Sequence, residues 1–361
     1  MTSTNKESEG ADGDIVGVGG RILSFSCQRF IEDIVNGDAC CVCGAWPHEK
    51  DFNDEHIIPK WVLRRFDLFD REITLPTGEL RRYRGYRTPC CKECNSHLGK
   101  MVETPVSQLL AGDYASVAAR LDERGRELLF IWLNLLFFKI HLKDRRVRMH
   151  RDPRLGEENI GDFYDWTDLH HIHAVARASF TGASLLPGVV GSLQIFEIDG
   201  SLTADTYDYL DFTFDQTMIV RLGRIGIVAT LNDSTAGESA WSHRLELIDG
   251  PLVELQLREL GAMFAVANRD LIYRPTFSTV VIDGKWVIIQ AHRPPLRLPE
   301  MDPQAFGAAL LFAVRNFVAR GAIEIDGTRE PDRVAAAIAT GHVRFLTNAE
   351  GKFFRPPPLR I

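Results

Sequence analysis

The sequence predicts an α+β protein in which a small cysteine-braced module precedes a larger domain of mixed helices and strands. Two Cys-x-x-Cys pairs, Cys40/Cys43 and Cys91/Cys94, predict the module, because four thiols at this spacing are typical of a tetrahedral structural metal site. From about residue 119 onward, short apolar runs, turn residues and helical patterns predict the second domain. A chain of 361 residues is long enough to bury two cores.

Composition and charge exclude several classes of protein. The formal charge of −7 argues against a chain coated in basic surface, so nucleic-acid binding would depend on local patches. The longest apolar run, Leu128 to Phe138, is well short of the roughly 20 residues that cross a bilayer. Seven cysteines, four of them in two tight pairs, do not resemble a secreted disulfide framework. We therefore expect a cytoplasmic protein with no membrane span.

The N-terminal region contains one predicted helix. Residues 1–14 are rich in Ser, Thr, Gly, Asp and Glu and lack a basic segment followed by an apolar one, which predicts a disordered start rather than a signal peptide. Apolar residues recur at helical spacing from Ser24 to Val35, and Asn36-Gly37 supplies a C-cap. We therefore assign residues 15–37 to an N-terminal helical segment and residues 38–118 to the module.

The module combines two predicted helical segments with a hairpin. A short helix is predicted from Trp61 to Phe69, and the turn Pro76-Thr77-Gly78 predicts a hairpin from Glu72 to Tyr86. The segment from Asn95 to Leu110 is helical in character, with Pro105 either kinking it or starting a new helix.

Residues 119–361 form the predicted C-terminal α+β domain. It begins with a long buried helix from Leu121 to Leu142, and a charged connector follows. Strands are predicted at Ser192–Ile198, Phe212–Phe214, Met218–Leu222, Gly226–Leu231, Thr279–Ile282 and Trp286–Ala291. Helices are predicted at Leu252–Val266, Pro303–Arg320 and Pro331–Thr340. The turn Asp283-Gly284 between the last two strands is a strong hairpin signal.

Zinc is the metal expected at the two cysteine pairs. Gly44, directly after the first pair, permits the tight turn that such sites use. A second set, Cys41 and Cys43 with Cys90, stays open, although a Cys-x-Cys spacing closes the turn less well. Ordinary buried thiols are the alternative to a metal site. Four thiolates leave no open coordination position, so this Zn²⁺ is expected to be structural.

The run Asp54-Glu55-His56-Ile57-Ile58-Pro59-Lys60 carries the candidate chemistry together with Asn95. A protein that cuts a phosphodiester needs a base for water, a hard cation and oxygen ligands for that cation. His56 suits the base because the ordinary pKa of an imidazole lies near neutral pH. Glu55 and Asn95 offer oxygen ligands of the kind that Mg²⁺ or Mn²⁺ accepts, with Asp54 as a substitute for Glu55. Asn95 directly follows the second cysteine pair, so a shared metal would bring it beside the strand of Glu55.

These residues resemble the HNH endonuclease family, whose core is a ββα-metal finger. The closest resemblance is to members in which a four-cysteine zinc braces the finger, as in the junction-resolving phage endonucleases. It covers roughly Ala39 to Glu103 and implies a treble-clef-like nuclease module. In that module His56 would be the general base, while Glu55 (where the family more often has Asp) and Asn95 would hold the catalytic Mg²⁺ or Mn²⁺.

The chain departs from the family pattern just before the second cysteine pair. The family usually has Asn or His there, whereas this chain has Tyr86-Arg87-Thr88-Pro89. Either Tyr86 or Arg87 covers the phosphate contact, or that role is absent. The stretch between Pro59 and Cys90 is also longer than in compact members. Glu103 either adds an outer contact to the site or is a plain surface residue.

A local excess of basic residues supplies the candidate nucleic-acid contacts, namely Lys60, Arg81, Arg82, Arg84 and Arg87. From Lys60 to Lys100 there are ten Lys or Arg residues against five acids, which favours phosphate binding. For any single arginine, a solvated charged hairpin is an equally good interpretation.

The predicted function is therefore that of a cytoplasmic, metal-dependent HNH-type endonuclease that acts on DNA, with RNA left open. The competing class is a non-catalytic zinc finger that binds nucleic acid or protein. The C-terminal domain is expected to recognise DNA, to form a homodimer or to silence the nuclease until a signal arrives. The last expectation rests on analogy with phage-defence nucleases that carry an appended sensor.

Overall fold

The computed structural model describes residues 13–75, 77–199 and 206–354. The predicted disordered start lies outside the described residues except for Gly13 and Asp14. The chain divides into two units. Unit 1 comprises Met1–Ala111, Arg120–Val189 and Thr276–His292, and unit 2 comprises Gly112–Ala119, Val190–Pro275 and Arg293–Ile361.

Helices and strands occur in both units, which confirms the mixed α+β class. The α-helices are α1 (Cys27–Arg29), α2 (Lys60–Arg65), α3 (Lys92–Leu98), α4 (Thr104–Leu109), α5 (Tyr114–Arg120), α6 (Glu123–Asp144), α7 (Trp166–Ala176), α8 (Ala178–Thr181), α9 (Ala236–Leu245), α10 (Glu254–Arg269), α11 (Pro303–Ala319) and α12 (Pro331–Ala339). The strands are β1 (Ile15–Val16), β2 (Ile22–Ser24), β3 (Phe52–His56), β4 (Glu72–Thr74), β5 (Leu80–Arg82), β6 (Arg87–Cys91), β7 (Ser184–Leu185), β8 (Leu193–Glu197), β9 (Tyr207–Phe212), β10 (Thr217–Leu222), β11 (Ile225–Thr230), β12 (Thr276–Ile282) and β13 (Trp286–His292). Two π-helical segments, Phe30–Asn36 and Gly99–Glu103, continue α1 and α3.

In unit 1, β3 and β6 form an antiparallel pair, and α3 follows β6 directly. The register places Glu55 opposite Thr88 and His56 opposite Arg87. The β4–β5 hairpin lies in the connection between these two strands, so the hairpin predicted from the turn residues is confirmed. Because the strands are antiparallel, the start of α3 lies beside the start of β3, and His56 lies at the opposite end of the strand pair.

The helix after β6 changes its character twice, and the second change has a local cause. It passes from α3 into the π-helical segment and then into α4. Pro105 lies in the first turn of α4, and as a proline it has no N–H to donate to the preceding helical turn. This confirms the expectation that Pro105 marks a kink or a new helix.

Helix α6 is a buried helix of unit 1. Asp122 caps its N-terminus by accepting the N–H of Gly125 at 2.8 Å. All side chains from Leu129 to Leu142 are buried, so the helix is enclosed on every side. The helix predicted at Leu121–Leu142 is confirmed, although it groups with unit 1 and not with the later part of the chain. No helix among the described residues is both long and apolar enough to cross a membrane.

A three-stranded sheet of order β12-β13-β7 also belongs to unit 1. Asp283 and Gly284 join β12 to β13 at φ values of +54° and +60°, so the predicted hairpin is confirmed. From α7, His171 stacks on Phe277 of β12 with ring centroids 3.7 Å apart. This stacking ties the hairpin to the helical part of the unit.

Unit 2 is built on a four-stranded antiparallel sheet of order β8-β11-β10-β9. Every residue of β10 and β11 is buried, and α10 packs against these two strands. Helices α11 and α12 complete the apolar core. Two buried ion pairs involve Glu254 of α10. Arg221 of β10 lies 2.7 Å from its carboxylate and links the helix to the sheet. Arg258 of α10 itself lies 3.1 Å from the same carboxylate.

The strand predicted at Phe212–Phe214 is wrong beyond its first residue. Strand β9 ends at Phe212, and Thr213–Asp215 form a 3-10 turn that leads into Gln216 at φ +43°. The chain reverses here so that β10 can pair with β9. Strand β9 itself, α7 and α9 were not predicted, because polar residues interrupt their apolar periodicity.

Candidate active site and metal centre

Four cysteine side chains of unit 1 meet at one point. The Sγ atoms of Cys40, Cys43, Cys91 and Cys94 all lie within 4.8 Å of one another. All of these side chains are buried except that of Cys43, which is half-buried. A Zn–S bond of about 2.3 Å in tetrahedral geometry places sulfurs roughly 3.8 Å apart. The cluster could therefore bind a metal such as zinc.

The first pair sits on a tight turn that requires glycine. The N–H of Gly44 donates to the carbonyl of Cys40 at 2.8 Å, and the N–H of Cys40 donates to the carbonyl of Ala45 at 2.8 Å. Gly44 has φ +76°, in the left-handed region that favours glycine. A Cβ atom at this position would lie 2.8 Å from the Phe25 ring. Both the backbone angle and the available space therefore exclude a side chain.

The second pair joins the end of β6 to the start of α3. Cys91 is the N-cap of α3, and its Sγ accepts the N–H of Cys94 at 3.4 Å. The N–H of Cys91 itself points to the Sγ of Cys40 at 3.5 Å. Bonds of this kind favour the charged form of a thiol. The backbone thus links the second pair to the first through sulfur.

The geometry favours the preferred set of cysteines over the alternative one. The Sγ of Cys90 lies 3.8 Å from that of Cys40, yet among the described residues Cys90 belongs to no group of metal-ligating side chains. Hydrogen bonds from the thiols of Cys43, Cys90 and Cys94 hold the pKa of Cys40 well below its usual range. The pKa of Cys94 is raised, because it donates to the Cys40 thiolate. A dication would allow all four thiols to ionise together.

Helix α7 supports the first cysteine pair from a neighbouring position. The Nε2 of His173 donates to the carbonyl of Cys41 at 2.7 Å, and the Nε of Arg177 donates to the carbonyl of Val42 at 2.5 Å. Burial lowers the pKa of Arg177 to about 10, which leaves its guanidinium charged at neutral pH. This charge offsets the negative charge of nearby thiolates. His173 thus has a structural contact in unit 1.

Glu55 and His56 lie at the end of β3, with 6% and 5% of their surfaces exposed. Lys139 of α6 reaches both residues. Its Nζ lies 2.9 Å from the Oε1 of Glu55 and 3.0 Å from the backbone carbonyl oxygen of His56. Lys139 is only 1% exposed. The carboxylate of Glu55 is therefore held by a buried cation of the chain itself.

Glu103 faces the same ammonium. Its Oε1 lies 3.5 Å from the Nζ of Lys139, a distance that gives charge attraction, and this oxygen has no hydrogen-bond partner among the described residues. Burial raises the pKa of Glu103 to about 7. Burial opposes the charge of Lys139 as well, yet the two carboxylates hold its pKa above the usual value. Of the two expectations for Glu103, the contact with the site is the one observed.

The imidazole of His56 has no hydrogen-bond partner at either ring nitrogen within the part of the chain that the structure describes. It packs edge-on against Phe69, with ring centroids 6.2 Å apart. Burial lowers the pKa of His56 to about 4, and the positive charges of Arg87 and Lys60 add to the effect. The ring is therefore uncharged at neutral pH, which is the form that accepts a proton.

Asn95 of α3 reaches β3 two residues before Glu55. Its Nδ2 donates to the Oδ1 of Asn53 at 2.9 Å. Side chains alternate along a strand, so Asn53 and Glu55 lie on the same face of β3. The hydrogen bond uses the amide nitrogen and leaves the oxygen, the atom that a hard cation takes, outside this contact. The side chain of Asp54, the substitute ligand, lies outside the described part.

The predicted nucleic-acid contacts lie at the protein surface. All are exposed except one half-buried residue, and the set is Lys60, Arg81, Arg82, Arg84 and Arg87. Arg81 pairs with Glu79 at 2.9 Å, and Arg84 pairs with Asp70 at 3.0 Å. Exposed ion pairs of this kind contribute little to stability. These guanidinium groups can therefore exchange a carboxylate partner for a phosphate.

Burial distinguishes Tyr86 from Arg87, the two residues that the sequence suggested for a phosphate contact. Tyr86 is 1% exposed, and its hydroxyl donates to the Asp144 carboxylate at 2.8 Å. A phenol held in this way cannot reach a phosphate. Arg87, half-buried and paired with His56 in the strand register, is the remaining candidate of the two.

Sequence reasoning missed Lys139 and Asn53. Lys139 directly follows the apolar run Leu128–Phe138, and a buried ammonium requires an anion nearby. That signal could have indicated a carboxylate partner but not its identity. Asn53 lies two residues before Glu55, where strand alternation could have placed both on one face.

No protein-family model matches the chain, and neither a curated protein nor a solved structure shows significant similarity to it.

Proposed function

We propose that the chain is a metal-dependent endonuclease of the HNH type that hydrolyses phosphodiester bonds in DNA. The observation that carries the proposal is the pair at the end of β3. There a buried, neutral imidazole without a hydrogen-bond partner among the described residues, His56, follows a buried carboxylate, Glu55. Asn95 reaches the same strand from α3.

Two metals have separate roles in this proposal. Zinc on the four clustered thiolates has a structural role, since it would hold the first cysteine pair, β6 and α3 together. Near Glu55 and Asn95, a bound Mg²⁺ or Mn²⁺ would supply positive charge for the phosphate in the transition state.

The residues of the chain have simple tasks in the reaction. His56, uncharged at neutral pH, takes a proton from the attacking water. Arg87, which faces His56 across the strand pair, holds a phosphate oxygen. The exposed Lys60 and Arg82 bind neighbouring phosphates and position the backbone of the nucleic acid.

One observation favours a second candidate function, a non-catalytic zinc-braced binding module. Lys139 already neutralises Glu55, as the partner in a purely structural buried ion pair would. In that case the basic surface would bind nucleic acid, and His56 would only fill space beside Phe69.

Nicking of supercoiled plasmid in the presence of Mg²⁺ or Mn²⁺ tests the proposal. His56→Ala should lower the rate at least about 100-fold, the usual contribution of a general base, and should retain zinc. His150→Ala, the same change at a half-buried histidine outside the module, should nick like the wild type. Equal nicking by wild type and His56→Ala would exclude the mechanism.

A wild-type protein that binds plasmid without nicking it would favour the binding module instead. Arg82→Gln then tests whether Arg82 contacts a phosphate. Loss of one phosphate contact should weaken binding to all sequences alike and reduce the salt dependence of binding. Single-stranded DNA, branched DNA and RNA in the same assay would identify the preferred substrate.

A further inference from the structure

A single buried ammonium connects the two residues of the candidate pair. Lys139 lies on α6, far along the chain from β3, and is 1% exposed. Its Nζ is 2.9 Å from the Oε1 of Glu55, 3.0 Å from the carbonyl of His56 and 3.5 Å from the Oε1 of Glu103. The three N–H bonds of an ammonium thus have three oxygen atoms near them.

An ammonium is a costly choice at this position if its role is only to fill space. Transfer of a charge from water into a protein interior is strongly unfavourable, and an apolar residue of similar volume often gives equal or greater stability. The neighbouring residues of α6 are apolar, including Phe137, Phe138 and Ile140. The bond to the His56 carbonyl is informative, because a simple counter-ion for two carboxylates would not need it.

We propose that Lys139 is a positioning residue of the Glu55–His56 site. Its ammonium fixes the rotamer of Glu55 and the peptide that leads into His56, so that carboxylate and imidazole keep one arrangement relative to each other. Lys139 is too deeply buried to touch a substrate, and it acts through these two residues. This inference rests on the proposed nuclease function.

Charge balance must be separated from positioning in any test. Lys139 contributes +1 and the carboxylates of Glu55 and Glu103 contribute −1 each, so the buried group has a net charge of −1 when all three are ionised. Lys139→Met alone leaves two buried carboxylates without a cation, so a second variant must restore the net charge. The double variant Lys139→Met/Glu103→Gln leaves Glu55 as the single charge, and the net charge is again −1.

The experiment compares four zinc-loaded proteins: wild type, Lys139→Met, Glu103→Gln and the double variant. Plasmid nicking at pH 8 is measured over a series of Mn²⁺ concentrations, together with zinc content and thermal unfolding. Glu103→Gln retains the bonds of Lys139 to Glu55 and His56, so its maximal rate should stay within about threefold of wild type. The double variant should fold and hold zinc, yet its maximal rate at saturating Mn²⁺ should fall at least tenfold, because a misplacement of about 1 Å can cost a factor of this size or more.

A second readout distinguishes positioning from general loss of structure. Removal of an ammonium that shares the Oε1 of Glu55 should allow Mn²⁺ to bind more tightly, so any folded Lys139→Met protein should need less Mn²⁺ for half-maximal rate while its maximal rate falls. Loss of structure would instead lower the maximal rate and raise the Mn²⁺ concentration needed for half-maximal rate.

The possible results separate this inference from the function on which it rests. A wild type that does not nick overturns the proposed function and the role of Lys139 with it. A wild type that nicks beside an equally active double variant overturns only the role of Lys139, as does a Glu103→Gln protein that is as slow as the double variant.

Discussion

The tight turn at Gly44 is where the sequence and the three-dimensional structure constrain each other most strongly. Gly44→Ala places a Cβ atom in a backbone with φ +76° and 2.8 Å from two carbons of the Phe25 ring. The left-handed backbone costs an L-residue about 1–2 kcal/mol. Overpacking against the ring adds about 1–3 kcal/mol. We therefore expect Gly44→Ala to lower the free energy of unfolding of unit 1 by about 2–5 kcal/mol.

Gly182→Ala is the matched control within the same unit. Gly182 has φ +73°, and nothing lies within 4 Å of the Cβ that alanine would add. Its N–H donates to the carbonyl of Ala178 at 2.9 Å, much as the N–H of Gly44 donates to Cys40. Only the backbone cost of about 1–2 kcal/mol should therefore be measured at this position.

Urea unfolding of the zinc-loaded protein is monitored through the release of zinc to a chromogenic chelator, a signal that reports on unit 1 directly. Gly44→Ala should release zinc at a lower urea concentration than Gly182→Ala, and both should do so before the wild type. If the two variants unfold at the same urea concentration, the contact of the added Cβ with the Phe25 ring does not contribute to the loss of stability. The reasoning would also be refuted if Gly44→Ala matched the wild type.

Two further predictions concern the metal and the pH dependence of stability. Cys94→Ala should lose one equivalent of zinc and the cooperative thermal transition of unit 1, because structural zinc contributes about 10–16 kcal/mol of binding free energy, which exceeds the stability of most domains. Cys27→Ala, outside the cluster, should keep both the zinc and the transition. A Cys94→Ala protein with full zinc content would contradict the four-thiol site. Burial lowers the pKa of His171 to about 3, below its unfolded value near 6.5, so its contribution to stability is complete above pH 6.5 and is lost as the pH falls toward 3. Between pH 7 and pH 4 the wild type should therefore lose about 1–3 kcal/mol more stability than His171→Phe, measured by urea unfolding at each pH. Parallel pH curves for the two proteins would show that folding does not lower the pKa of His171.

Local signals in the sequence were sufficient for most of the regular structure. The turn Asp283-Gly284 predicted the β12–β13 hairpin, because two residues with positive φ match the twist of paired strands. Pro105 predicted a change of helix, since proline has no N–H to donate in a helix interior. Prediction was poorest where burial is mixed, as at Phe212–Phe214, where a turn follows an apolar strand end.

The candidate site was only partly predictable, because local signals identify residues that are close in the chain but not contacts between distant ones. Spacing identified Glu55, His56 and the four paired cysteines, because each of these signals lies within a few residues of the chain. The hydrogen bond of Asn95 to Asn53 depends on the packing of α3 against β3, which spacing does not define.

By itself, the sequence determined which residues have chemistry and which turns the backbone can make, because both are properties of residues close together in the chain. Only the tertiary structure decided that Lys139 neutralises Glu55, that Glu103 faces the same ammonium and that Tyr86 is committed to Asp144. The partners lie far apart in the sequence: 84 positions for Glu55 and Lys139, 36 for Glu103 and Lys139, and 58 for Tyr86 and Asp144. A buried charge requires a partner, but the chain's path through space determines which residue fills that place.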